Sequence, residues 1–180
     1  MLLNNYIKML KNCMPFDEIV VIKNEIVAIV PLNLITKFMF FIKNHENCRF
    51  DLLVDICGVD YPERNNRFEI VYQLLSISYN QRLSIKTYTC ENKAIHSISK
   101  IFINAVWLER EVWDMFGIFI YAHPDLRKIL TDYGFDKHPL RKDFPVTGFH
   151  DLLYSDFDKT VMKTPIEFSQ ESRIYQYIKV

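Results

Sequence analysis

Phe68-Glu69-Ile70-Val71-Tyr72-Gln73-Leu74, the Tyr79-Asn80 turn and Arg82-Leu83-Ser84-Ile85-Lys86-Thr87-Tyr88-Thr89 decide the fold class. Both runs alternate with period two, the spacing of strands that bury one face. In the second, Leu83, Ile85 and Thr87 share one face and Arg82, Ser84 and Lys86 the other. One face of this meander therefore meets solvent or a partner. A connection this short makes the two strands antiparallel.

Working outward, Leu52 to Ile56 reads as a further strand, ended by Gly58 and Pro62, with Asn65-Asn66 turning the chain into Phe68. Upstream, Ile19-Val20-Val21-Ile22 and Ile26-Val27-Ala28-Ile29-Val30 flank the polar break Lys23-Asn24-Glu25, which suits a hairpin. After Pro31, Leu34, Ile35, Phe38, Phe41 and Ile42 form one broad apolar face of a helix that covers the sheet. Leu2, Leu3, Tyr6, Ile7 and Leu10 fall at helical spacing without a charged leader or a small-residue cleavage site. Ile95, Ile98 and Ile101 suggest a short helical passage. Asn104 is placed to N-cap a helix over 105–116, and Gly117 to end it. The expected architecture is α+β: a mostly antiparallel sheet covered by helices on one face, in a compact domain over residues 1–117.

Beyond Gly117 the periodicity fades. Prolines 124, 139, 145 and 165 interrupt every run except a short helical candidate from Pro124 to Tyr133. Yet the segment keeps Phe135, Leu140, Phe144, Val146, Phe149, Leu152, Leu153, Tyr154 and Phe157, far more apolar surface than a solvated disordered tail carries. Residues 118–180 are therefore expected to form an extended arm that wraps a partner.

With 180 residues, 49% of them hydrophobic, the chain is long enough for one core and an appendage. Lys+Arg and Asp+Glu are equal at 22 each, so no overall field gathers nucleic acid or an anionic membrane. Around the arm, Arg127, Lys128, Lys137, Arg141 and Lys142 alternate with Asp125, Asp132, Asp136 and Asp143, the mixed pattern of a specific protein interface. Cys13, Cys48, Cys57 and Cys90 form no C-x-x-C pair, which argues against disulfides, zinc and iron–sulfur ligation and for a reducing compartment. No apolar run approaches the ~20 residues that span a bilayer, so membrane association would run through partners. Richness in Ile, Asn, Phe and Tyr beside scarce Ala and Gly is the bias of an AT-rich genome, as in an organelle or a reduced bacterium.

Catalytic chemistry finds little purchase. Glu109 and Glu111 could be an acid/base pair, but residues two apart on a helix diverge. His123 and His138 with nearby aspartates suggest a stand-alone metal-dependent hydrolase, although their spacing matches no defined site. The four glycines, Gly58, Gly117, Gly134 and Gly148, assemble no phosphate-cradling loop.

Glu109-Arg110-Glu111, Asp114-Met115-Phe116-Gly117, His123-Pro124-Asp125-Leu126-Arg127, Ile129-Leu130-Thr131-Asp132-Tyr133-Gly134-Phe135 and His138-Pro139-Leu140-Arg141-Lys142-Asp143-Phe144-Pro145 stand in the order and spacing of a known signature. In them the chain closely resembles the NADH dehydrogenase subunit 9 family of NADH:ubiquinone oxidoreductase, respiratory complex I. The resemblance runs from about Ile19 onward and is strongest between Trp107 and Phe149. It implies a core subunit of the peripheral arm that supports NADH-to-quinone electron transfer while FMN, iron–sulfur clusters and quinone are bound by neighbouring subunits. It also implies a peripheral place on the matrix side of the mitochondrial inner membrane, organelle-encoded, or on the cytoplasmic side of a bacterial membrane. The partners implied are the subunits forming the quinone-reducing end. Glu109, Arg110, Glu111 and Asp114 would fix the helix against the arm of the complex. Arg127, Arg141, Lys142 and Asp143 would set the tail's register, with His123, Asp125, Asp132, Tyr133, His138 and Phe144 completing the interface.

Overall fold

The computed structural model describes residues 2–13, 15–22 and 25–167. Lys23 and Asn24, expected in the hairpin connection, the side chains of residues 2–6 and residues 168–180 of the expected arm lie outside the described residues. Helix α1 (Leu2–Cys13) leads into strands β1 (Glu18–Ile22) and β2 (Glu25–Ile29), then helix α2 (Ile35–Asn44) and strands β3 (Leu52–Asp60), β4 (Phe68–Ser76) and β5 (Gln81–Thr89). Strand β6 (Ile95–His96), helix α3 (Ala105–Phe116), strand β7 (Ile120–Tyr121) and the hairpin β8 (His150–Ser155) and β9 (Thr160–Pro165) follow.

The fold is α+β. Its five-stranded sheet has the order β1-β2-β5-β4-β3, antiparallel throughout except that β2 runs parallel to β5. That one parallel pair arises because α2 intervenes between the two halves of the sheet, and only a long crossover can return a chain in the same direction. The inward positions, Ile26 and Ala28, Leu83 and Ile85, Phe68, Ile70, Tyr72 and Leu74, join Ile35, Phe38, Met39 and Ile42 of α2 in one core. Leu10 of α1, fully buried, joins it too. On the outer face Glu69 binds Lys86 at 2.6 Å and Ser84 donates to Gln73 at 2.7 Å. Among the described residues no helix is long and apolar enough to cross a membrane.

Four local expectations differ from what is seen. Strand β3 continues through Gly58 to Asp60, because a bulge between Leu53 and Asp55 shifts the pleat. Ile56, Gly58 and Asp60 thereby share the inward face with Leu53, opposite Tyr72, Ile70 and Phe68. Glycine is needed at position 58, where a Cβ would lie 2.7 Å from the Phe116 ring. Ile95 opens the short strand β6, parallel to β7, instead of a helix. The Asn104 side chain does not cap α3; its Nδ2 donates to the Leu53 carbonyl at 2.5 Å and ties the helix to β3. Residues 124–133 form no helix, because their backbone groups are claimed by side chains of α3.

Candidate functional site

Helix α3 lies beside β3 and presents two kinds of surface. Val112, Met115 and Phe116 enter the core, while Arg110 and Asp114, one turn apart on a shared face, are buried without pairing to each other. Arg110 donates from Nε to the Arg127 carbonyl at 3.0 Å and from Nη2 to the Lys128 carbonyl at 2.9 Å. Asp114 Oδ2 accepts the backbone N–H groups of Ile129, Leu130 and Thr131 at 3.1, 2.9 and 2.9 Å, and Oδ1 accepts the Thr131 hydroxyl at 2.5 Å. A cation thus takes two carbonyls and an anion three amides of the same stretch of main chain. Burial alone would raise the Asp114 pKa, but the Thr131 hydroxyl and these three amides outweigh it and hold the carboxyl below its ordinary value.

The end of α3 is closed by the same C-terminal segment. An α-helix leaves its last carbonyls without intrahelical partners. Here Gly117, left-handed at φ 73°, covers the Trp113 carbonyl at 2.8 Å. His138 Nδ1 bonds the Asp114 carbonyl at 2.9 Å, Leu140 N–H donates to Met115 at 3.1 Å and Arg141 Nε to Phe116 at 2.6 Å. A Cβ on residue 117 would collide with both His138 and Arg141.

A third anchor centres on Asp60 and Arg67, which the sequence patterns did not single out. Asp60, turned inward by the bulge, receives Arg67 in a two-point contact at 2.6 and 2.8 Å and the Lys142 backbone N–H at 2.8 Å. The Arg67 hydrogen bonds outweigh burial and hold the Asp60 carboxyl below its ordinary value. Arg67 also meets Asp143 at 3.1 Å and Glu91 at 2.7 Å, and both Arg67 and Arg141 stack on Phe68. No sequence signal links Asp60 with Lys142; 82 residues separate them.

At the other end of α3, buried Glu109 accepts Ser97 Oγ at 2.6 Å and the Ile98 N–H at 2.7 Å. Burial raises its pKa despite these bonds. Glu111 is exposed, so the two glutamates do not converge. His123, its side chain fully enclosed, reaches the Val106 carbonyl at 3.1 Å through Nε2 and receives the Asp125 N–H on Nδ1 at 3.1 Å. A carbonyl can only accept, so the Nε2-protonated tautomer satisfies both bonds. His123 and His138 grip carbonyls eight residues apart on α3, about 12 Å along its axis, and form no common ligand set. The hydrolase alternative finds no support.

Of the remaining expected interface residues, Asp125, Arg127, Asp132 and Tyr133 face outward, while Phe144 is half-buried. Asp125 and Arg127 pair at 2.9 Å on the surface, Asp132 receives the Tyr133 N–H at 2.8 Å, and Tyr133 is 85% exposed. Phe144 sits between Phe135 and Phe149, at ring-centre distances of 5.9 and 5.4 Å. The hairpin β8–β9 carries Leu153 opposite Met162 on one face and Leu152, Tyr154 and Val161 on the other, all exposed.

Residues 28–150 match the model of the family described as the respiratory-chain NADH dehydrogenase 30 kDa subunit. The chain is 48% identical over 162 residues to NADH-ubiquinone oxidoreductase subunit 9 of Reclinomonas americana, covering 89% of this chain and 79% of that protein. It is 52% identical over 141 residues to NADH dehydrogenase [ubiquinone] iron-sulfur protein 3 of Solanum tuberosum, covering 78% and 74%. Among solved structures, a chain of the membrane-bound sulfane sulfur reductase, an archaeal respiratory membrane complex, superposes with a TM-score of 0.68 at 26% identity over 79% of this chain and 85% of that one. The stitched face of α3 coincides with the motifs that carried the resemblance, and the chain belongs to the 30 kDa subunit family of respiratory-chain NADH dehydrogenase.

Proposed function

We propose that this chain is a docking subunit in the peripheral arm of a respiratory-chain NADH dehydrogenase, with electron-transfer centres on its neighbours and none of its own. The domain over residues 1–117 seats on the complex. The region from 118 onward covers the subunits that form the quinone-reducing end. Glu111 on α3 and Asp125, Arg127, Asp132, Tyr133, Lys142 and Asp143 beyond it touch the partner, while Glu109, Arg110 and Asp114 of α3 and His123, His138, Arg141 and Phe144 fix the shape presented to it. The place proposed is the matrix side of the mitochondrial inner membrane, reached through the complex.

The observation that carries this reading is the hairpin β8–β9. Two strands cannot bury a core of their own, and here both faces expose large apolar side chains, with Phe157 at 96% exposure in the turn. Such a surface marks a site that another chain covers. The test is purification through an affinity tag on this chain from its native membranes. The expected result is a large assembly with NADH:quinone oxidoreductase activity, depleted when Leu153 and Met162 are both replaced by Asp. A well-behaved monomer recovered from wild type, or full assembly of the double variant, refutes the reading.

A further inference from the structure

We propose that the cleft partitioned by Phe144 and Phe149 receives an extended segment of a neighbouring subunit, seating a large apolar side chain on one side of the partition and a carboxylate on the other. This rests on the reading that the C-terminal region covers a partner, and it names the chemistry of what is covered. The two phenylalanines, in an edge-to-face pair, line two adjacent cavities. One, of about 310 Å³, is walled by Phe135, Val146 and Leu152 and is mostly apolar. The other, of about 470 Å³, is walled by Lys137, His138 and Arg141, with Asp143 its one acid. That acid is already engaged by Arg67 at 3.1 Å.

Lys137 is the basic member without a carboxylate partner among the described residues. Its Nζ stands 3.8 Å from the centre of the Phe149 ring, and among the described residues no carboxylate lies within ion-pair distance of it. Its backbone is left-handed at φ 70°, a conformation that a residue with a Cβ rarely adopts. A cation held against an aromatic face in a basic cavity selects an anion. The apolar cavity next door selects a ligand that is greasy as well. Adjacent cavities suit alternate side chains of one extended chain, i and i+2, which lie on the same face. A protein segment with an apolar residue two positions from an Asp or Glu meets both demands.

The test is zero-length carbodiimide coupling of the intact native complex, followed by digestion and mass spectrometry. The expected product is an amide between Lys137 Nζ and an Asp or Glu of another subunit, absent when Lys137 is Arg. Coupling of Lys137 only to Asp136, Asp143 or another acid of its own chain, or to nothing, overturns the proposal. In parallel, Lys137→Glu is expected to lower the assembled fraction about tenfold, with Lys137→Arg near wild type. If Lys137→Glu assembles normally while the Leu153 and Met162 double variant does not, this inference fails and the docking role stands. If both assemble normally, both fail.

Discussion

At the scale of single residues, α3 works through groups that satisfy someone else's backbone. Asp114→Asn keeps the side chain's size but loses the charge that three amides and a hydroxyl converge on. The expected cost is about 1–3 kcal/mol, and amide exchange at Ile129, Leu130 and Thr131 should accelerate together. Unchanged exchange at those three amides would count against the anchoring role. Because the folded-state pKa of Asp114 lies below its ordinary value, its stabilisation is present above the unfolded pKa, about 4. It is lost as pH falls through the folded value. Glu109 has the opposite sign: its folded pKa is raised by burial, so its ionisation costs stability as pH rises from the unfolded value of about 4 through the folded one. Glu109→Gln can still accept the Ile98 N–H and donate to Ser97. Its melting temperature should match or exceed that of wild type at neutral pH and fall less between acid and neutral pH, as differential scanning calorimetry would record.

At the scale of elements, the helix end and the bulged strand decide how the C-terminal segment lies. Gly117→Ala forces a Cβ into the left-handed region and into His138 and Arg141. The conformational part alone costs about 1–2 kcal/mol, and urea unfolding should show a larger total, since the caps on Asp114 and Phe116 shift as well. A loss under ~0.5 kcal/mol would mean that those caps contribute little. The helix was legible in the sequence because its ends and apolar face are local signals: Gly117 sits where a left-handed residue must follow a last turn. The bulge was not. An extra residue at Val54 changes which of Ile56, Cys57, Gly58 and Asp60 point inward, and only pairing with β4 reveals it. The Pro124 to Tyr133 stretch, helical by its local pattern, is not helical in the fold, because Arg110 and Asp114 offer its backbone better partners than its own next turn.

At the scale of the whole molecule, equal numbers of acidic and basic residues leave no long-range field to steer assembly. Association should therefore depend weakly on salt, with incorporation into the complex changing little between low and physiological ionic strength; a steep decline would point to charge rather than apolar burial as the driver. By itself the sequence determined the α+β class, the meander, the α2 and α3 helices and the family, because period-two and period-3.6 patterns and a dense motif are properties of neighbouring residues. Only the tertiary structure decided the parallel β2–β5 pair, the inward turn of Asp60 and the capping of α3 by residues 138–141. These depend on groups far apart along the chain meeting in space, where a buried carboxylate or an orphaned carbonyl takes whichever donor the packing brings.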